Sequence, residues 1–362
     1  MSSLRSNMVG WDIGGAHLKA VLLNTKGEVV DCLQLPCPLW KGLDYLQRAI
    51  LHALEALSIA PSRACHAITM TGELVDLFEN RHEGVCDIAK LATNILGEET
   101  LFYAANTGFV PLKCVSELSA NIASTNWHAS ATALALQLQD ALFVDIGSTT
   151  TDIIAIEGGK VASENLSSEG LSDAYRLQAD SLVYTGIVRT PVMALAQKLD
   201  FEGNKINLAA EYFATMADVY RLTGELTTDD AETADGKGKT PLESARRLAR
   251  MIGHDVEDKP IKFWINLAKT CKSLQLQQIK TAMFKQLKPN MTIIGAGVGS
   301  FLAKQIASDL NHNFTHAYQL VSMRPTVQVD LASKQAIEVC FPAYSVAYLY
   351  LKSVFAKKYK PC

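Results

Sequence analysis

Two short segments of the chain combine residues that can hold an anion and a cation together. The first reads Val9-Gly10-Trp11-Asp12-Ile13-Gly14-Gly15 and passes through Lys19 into the apolar run Ala20-Val21-Leu22-Leu23. The second reads Phe143-Val144-Asp145-Ile146-Gly147-Ser148 and passes through Asp152 into Ile153-Ile154-Ala155-Ile156. In each, an apolar strand ends in Asp-Ile-Gly and a second strand begins four residues later. Glycine lacks a Cβ and tolerates positive φ, so Gly14, Gly15 and Gly147 allow backbone N–H groups to approach an anion closely. Aspartates at the strand ends, Asp12 and Asp145, can hold Mg2+, which in turn bridges phosphate oxygens. Ser148, Thr149 and Thr150 add hydroxyls that can donate to phosphate. A third cluster, Gly295-Ala296-Gly297-Val298-Gly299-Ser300, follows the apolar run Thr292-Ile293-Ile294 and opens a helix. Gly295 and Gly297 therefore border a helix N-terminus, a further anion or nucleotide site.

Such turns need sheets to aim them. Both repeats continue through a turn, Lys26-Gly27 or Gly158-Gly159, into Val29-Val30 or Val161, which predicts a three-stranded meander in each. The two aspartates lie a domain's length apart, so the repeat predicts two lobes of similar plan, over 1–140 and 141–362. Helical periodicity covers 43–57, 87–96 and 129–138, with strands at 67–71 and 101–103 between them. After the second repeat the chain reads as largely helical, an insertion around 165–290 with helices at 208–222, 242–252 and 261–287 and a polar loop at 223–240. An apolar helix with a basic tail covers 341–358. The pattern is α/β: two lobes, each a mixed sheet flanked by helices, with a cleft between them.

Among 362 residues, 34 Lys and Arg nearly balance 37 Asp and Glu, so the net field favours neither nucleic acid nor an anionic membrane. An anionic ligand must then be held by local groups. Eight cysteines without a CxxC pair read as reduced thiols. Residues 1–7 lack an apolar core, and no run approaches the roughly 18–20 apolar residues of a membrane span. The expectation is a cytoplasmic protein acting on small molecules; a homo-oligomer is left open.

The three motifs resemble those of the actin, sugar kinase and heat-shock chaperone superfamily, which implies an actin-like ATPase (ribonuclease H-like) fold whose turns embrace phosphates. Asp145-Ile-Gly-Ser-Thr-Thr-Thr-Asp152 resembles the second phosphate turn of the hydantoinase A and oxoprolinase group. Further stretches resemble one small branch of it, the tetrahydromethanopterin-linked one-carbon pathway proteins related to archaeal methanofuran synthase. They are Met70-Thr-Gly-Glu-Leu-Val-Asp76 with Arg81 and Glu83-Gly84-Val85, Asn126-Trp127-His-Ala-Ser-Ala131, Leu182-Val-Tyr-Thr-Gly186 with Arg189-Thr-Pro191, Ala217-Asp-Val-Tyr220, and Thr233-Ala-Asp-Gly236. The likeness extends from about Met8 to Gly299.

This resemblance implies a transferase that joins an aminomethyl-furanmethyl diphosphate to a glutamylated tyramine phenol, forming an aryl ether and releasing diphosphate. In bacteria that oxidise one-carbon compounds, such an enzyme would serve methylofuran synthesis. Asp12 and Asp145 are the expected Mg2+ ligands, with Gly14, Gly15, Gly147, Ser148, Thr149, Thr150, Gly295 and Gly297 around the diphosphate. Lys19 falls where hydantoinases carry a second aspartate, which suits a built-in cation facing diphosphate and weakens an ATP-dependent amidohydrolase reading. Glu73 is the first candidate for the base that takes the phenol proton; the alternative is a first-turn helix residue answering the macrodipole. Arg81 and Arg189 are expected on the diphosphate or the glutamyl carboxylate, and Asp218 on the substrate amine. Whether ATP binds stays open. The alternatives are an ATP-dependent small-molecule kinase of the same fold and a nucleotide-binding regulator without turnover.

Overall fold

The computed structural model describes residues 7–162, 171–227, 232–323 and 331–358. Its first sheet has the order β3-β2-β1-β4-β5-β6, formed by β1 (Asn7–Ile13), β2 (His17–Asn24), β3 (Val29–Pro36), β4 (Ala64–Met70), β5 (Leu101–Tyr103) and β6 (Phe109–Pro111). The second has the order β10-β8-β7-β13-β14, formed by β7 (Ala141–Ile146), β8 (Thr151–Glu157), β10 (Leu182–Val183), β13 (Thr292–Ala296) and β14 (Phe314–His316), with β9 (Lys160–Val161) also on β8. In both, the hairpin strands are antiparallel and the next central strand, β4 or β13, is parallel to the first. A hairpin β11 (Lys198–Phe201) and β12 (Asn204–Asn207) stands apart. Two mixed sheets built on one plan give the α/β, actin-like ATPase (ribonuclease H-like) fold.

Period-two alternation decides which way the charges face. Along β1, Val9, Trp11 and Ile13 enter one core, whereas Met8 enters the core shared with the second sheet. Along β7, Leu142, Val144 and Ile146 turn outward, and Ala141 and Phe143 enter the shared core. Asp12 and Asp145 have the parity of Met8 and Phe143, so both lie on the faces turned toward the other lobe. The same parity puts Lys19 with Val21 and Leu23, and Asp152 with Ile154 and Ile156.

The outer face of the first sheet is covered by α1 (Leu43–Ala56) and α2 (Arg81–Leu96), with the short α3 (Ser119–Ile122) beside them. The second sheet is backed by α6 (Met216–Thr223), α7 (Pro241–Arg250), α8 (Ile261–Phe284) and α9 (Ser300–Asp309), with α5 (Asp173–Gln178) near its edge. Between the sheets lie α4 (Asn126–Ala135) and α11 (Phe341–Lys358), reached through α10 (Leu331–Val339). Although last in sequence, α11 packs on β1, β2 and β4. A Cβ on Gly10 would overlap the Ala343 carbonyl, so a glycine there lets α11 lie against the sheet.

Two helices differ most from the sequence expectation. Helix α2 begins six residues before 87, because Asn80 accepts the Glu83 N–H at 3.0 Å and caps it. The helix expected over 208–222 is confined to α6, because Thr215 and Asp218 form a capping box that starts it. Among the described residues no helix is long and apolar enough to cross a membrane.

Candidate functional site

The two Asp–Gly turns have matching hydrogen bonds. Gly14 N–H donates to His17 O at 3.0 Å, and Gly147 N–H donates to Thr150 O at 2.9 Å. Just beyond, Thr71 N–H reaches Ile13 O and Gly299 N–H reaches Ile146 O, at 2.9 and 2.8 Å. Cross-strand register sets Asp12 opposite Lys19 and Asp145 opposite Asp152. Lys19 and Asp152 are thus counterparts with opposite charge.

Lys19 Nζ donates to Asp12 Oδ2 at 3.0 Å, while Asp12 Oδ1 is buried with no partner among the described residues. Burial acts to lower the Lys19 pKa, but the Asp12 and then the Asp145 carboxylates outweigh it and hold the ammonium charged. Asp145 is pushed up to about 7, first by burial and next by the like charge of Asp152, with Lys19 opposing. Burial also raises Asp152, against the pull of Arg176, with which it forms an ion pair. Asp12, Lys19, Asp145 and Asp152 therefore share one electrostatic site between the lobes. Lys19→Met removes the cation beside an Asp12 side chain only 2% exposed. We expect a loss of about 3 kcal/mol in urea unfolding, the low end for a broken buried pair because Lys19 keeps some solvent. A change within experimental error would show that Asp12 does not depend on Lys19.

Each turn is held by a following segment. Cys37 N–H donates to Ala16 O at 2.8 Å and Leu39 N–H to Gly15 O at 3.0 Å. In the second lobe Ile187 N–H donates to Gly147 O, and Val188 and Arg189 N–H groups donate to Ser148 O, at 2.9–3.0 Å. A Cβ on Gly186 would stand 2.6 Å from Thr149 N, so this glycine admits the strap over the turn. Residues Gly14–His17 and Gly147–Thr150 remain half-buried.

The third glycine cluster divides. Gly297, at φ 77°, lies against Asp145, where a Cβ would overlap Oδ1. Gly295 is a packing residue, since its Cβ would press 2.8 Å from the Phe314 ring. The expected anion site at the start of α9 is occupied by the chain itself. Gly299 and Ser300 N–H groups bond Ile146 O and Gly297 O. Ser300 Oγ donates to Glu338 Oε2 at 2.5 Å, and His316 Nδ1 lies 2.5 Å from Oε1. Glu338 thus supplies the negative charge that this helix end attracts.

Glu73 lies in a single 3-10 turn, Gly72–Leu74, well before α2, so the macrodipole role is withdrawn. Its Oε1 accepts from Ser124 Oγ at 2.6 Å, and Oε2 is buried with no partner among the described residues. Ser124 adopts a left-handed φ of 52°, uncommon for a residue with a Cβ, which marks an imposed position. Burial raises the Glu73 pKa, opposed by the Ser124 hydrogen bond and by Arg81. Arg81 Nη2 donates to Asp173 Oδ2 at 2.8 Å, linking α2 to α5. Arg176 pairs with Asp173 at 3.3 Å and with Asp152, and its guanidinium lies 4.3 Å over the Trp127 ring. An ion ladder thus runs from beside Glu73 to the partner of Asp145. The sequence reading missed Ser124, Asp173, Arg176 and Glu338; the Asp173 and Arg176 i, i+3 spacing was the available signal.

Asp218 is removed from the ligand-facing set. Its Oδ1 accepts from Arg221 Nη1 and from Arg247 Nε and Nη2 at 2.7–3.0 Å, and Oδ2 accepts from Thr215 N–H. A buried carboxylate so enclosed organises α6 and α7. No cluster of three or more His, Cys, Asp and Glu among the described residues could hold a metal unaided. Asp12 Oδ1, buried without a partner among the described residues, is an oxygen of the kind a hard cation takes when phosphate oxygens complete its shell.

A family model described as hydantoinase/oxoprolinase matches residues 64–327. A protein of Methanocaldococcus jannaschii named (4-{4-[2-(gamma-L-glutamylamino)ethyl]phenoxymethyl}furan-2-yl)methanamine synthase is 29% identical over 354 residues, 96% of this chain and 98% of that protein. A protein of Methanococcus vannielii with the same name is 29% identical over 225 residues, 60% of this chain and 94% of its own length. Among solved structures, a nucleotide-free acetone carboxylase superposes with TM-score 0.54 at 10% identity, covering 94% of this chain and 70% of that one. At that identity the likeness concerns the fold alone.

Proposed function

The chain belongs to the hydantoinase/oxoprolinase family, and from that premise we propose that it is a transferase of methanofuran-type cofactor biosynthesis. Its reaction joins an aminomethyl-furanmethyl diphosphate to a glutamylated tyramine, as the name shared by the two archaeal relatives suggests. The observation that carries this reading is Lys19, an ammonium paired with Asp12 and within the electrostatic reach of Asp145, where the equivalent residue of the second lobe is an aspartate. A cation built into the cleft suits a diphosphate leaving group, whose negative charge grows as the carbon–oxygen bond breaks.

The twin turns hold the diphosphate through backbone N–H groups and the Ser148, Thr149 and Thr150 hydroxyls. Asp12 and Asp145 would hold Mg2+, which would supply electrophilic stabilisation of the leaving group. Lys19 offsets the remaining charge and keeps Asp12 oriented. The phenol oxygen attacks the furanylmethyl carbon, diphosphate departs with the bonding pair, and Glu73 Oε2 accepts the phenol proton. A free phenol has a pKa of about 10, so a base within reach lowers the barrier. The raised pKa of Glu73 makes it a stronger base than a solvated carboxylate.

Incubating the protein with Mg2+, the furanylmethyl diphosphate and γ-glutamyltyramine should yield diphosphate and an ether of the summed mass less diphosphate. Phosphoryl transfer from ATP to a small alcohol, with no ether formed, would replace this reading by a kinase. Glu73→Gln is expected to lower kcat about 10²-fold, within the range for a lost general base. In the wild type kcat should rise with pH as Glu73 loses its proton, the acid limb lying above the ordinary glutamate range of about 4.3. In Glu73→Gln that limb should vanish; its persistence would assign the base elsewhere.

A further inference from the structure

The straps that hold the two turns also meet each other. Trp40 lies in the 3-10 turn Leu39–Lys41, which Leu39 N–H ties to Gly15 O. Arg189 N–H is tied to Ser148 O, and its guanidinium sits over the Trp40 ring at 5.7 Å from the centroid. Lys41 also pairs with Glu232, in the loop between α6 and α7, at 3.6 Å. Trp40 is 42% exposed, whereas Trp11, Trp127 and Trp264 are buried to 1% or less. Tyr184, 57% exposed, lies on the strand side of the same strap, within the electrostatic reach of Asp173, Arg81 and Arg189. Arg81, paired with Asp173 on one nitrogen, is itself 41% exposed.

Two exposed aromatic side chains, Trp40 and Tyr184, thus lie near the guanidinium groups of Arg189 and Arg81. An aromatic face attracts a flat ring, and a guanidinium matches a carboxylate with two parallel N–H donors. A purine base alone would find the ring surface but no acid for the arginines, whereas a purine nucleotide adds phosphates that guanidinium also matches, which makes ATP the rival occupant in the test below. Diphosphate would find the arginines but make no use of the rings. A molecule with an aromatic ring at one end and a carboxylate at the other uses both.

Resting on the transferase reading above, we propose that Trp40, Tyr184, Arg189 and Arg81 form the acceptor subsite, taking a phenol that carries a carboxylate. The ring lies against Trp40 and Tyr184 with its hydroxyl turned inward to Glu73, and the carboxylate pairs with Arg189 or Arg81. These residues select the acceptor, while the turns select the diphosphate. Acceptor KM should therefore depend on Trp40 and Arg189, and diphosphate-substrate KM should not.

Because the other tryptophans are buried, acrylamide quenching of tryptophan fluorescence reports mainly on Trp40. The whole protein, with Mg2+ and inorganic diphosphate present, is titrated with γ-glutamyltyramine, with tyramine and with ATP. We expect γ-glutamyltyramine to shield Trp40 and tyramine to bind about tenfold more weakly, a ratio typical of one lost charged hydrogen-bonded contact. Arg189→Met should erase that preference, and Trp40→Leu should raise acceptor KM about tenfold with the furanylmethyl diphosphate KM unchanged. Shielding by ATP in place of the phenol would overturn the subsite, as would unaltered acceptor KM in both variants of an enzyme that makes the ether. Absence of ether with the wild type, despite shielding by the phenol, would sink the reaction and leave the subsite standing.

Discussion

Asp145→Asn should reduce ether formation by about 10²–10³-fold, the usual cost of one lost group that stabilises developing charge, while the ligand-free protein melts no lower than the wild type. Asparagine keeps the shape of the side chain and removes only its charge. That charge is unwelcome in the folded chain: burial, the facing Asp152 and also Asp12 and Glu338 all raise the carboxyl pKa, to about 7. The uncharged variant escapes this repulsion, so any loss of activity cannot be assigned to unfolding. Mg2+ with inorganic diphosphate should raise the melting temperature of the wild type and fail to do so in the variant. Unchanged turnover, or equal stabilisation by Mg2+ and diphosphate, would take Asp145 out of the proposed cation site.

Arg176→Met should have the largest effect on stability. The guanidinium is 2% exposed and neutralises Asp152 and Asp173, which are 13% and 8% exposed, and it stacks on Trp127. Methionine fills much of the volume but leaves Asp152 without its cation and Asp173 with Arg81 alone. Removing one partner from a buried ion pair costs about 3–5 kcal/mol, because the abandoned charge keeps its desolvation penalty. Denaturant unfolding measures the loss directly. Adding Asp152→Asn to Arg176→Met should recover part of it, since one stranded charge disappears. A loss below about 1 kcal/mol would mean that water already reaches these carboxylates, as it does at exposed pairs.

Asp12 and Asp145 are legible because their turns repeat, with the same Asp-Ile-Gly order at the end of an apolar strand. Lys19 is legible as a reversal of charge, since the hairpin gives it the same seven-residue offset that separates Asp145 from Asp152. Glu73 is found by its place after a buried strand, but its turn is too short to be a helix start. Ser124 and Glu338 leave no mark of this kind, and Arg176 leaves only its i, i+3 spacing from Asp173. Each meets its partner across a large interval of chain: Glu73 with Ser124, Asp152 with Arg176, and Ser300 with Glu338. Asp218 misleads for the opposite reason, because Arg221 is local but Arg247 closes over it from a separate helix.

By itself, then, the sequence determines the two-lobed α/β plan, the paired turns and the faces on which their charges lie. These depend on the two-residue period of a strand and on hydrogen bonds a few residues apart, both written in local order. Only the tertiary structure decides which charges are neutralised and which stay available. It encloses Asp218 in arginines, sets Glu338 at the α9 terminus, and leaves one buried oxygen on Asp12 and one on Glu73 without a partner among the described residues. The free energy of a charge depends on burial and on neighbours brought in from distant segments, and no local pattern of residues contains that information.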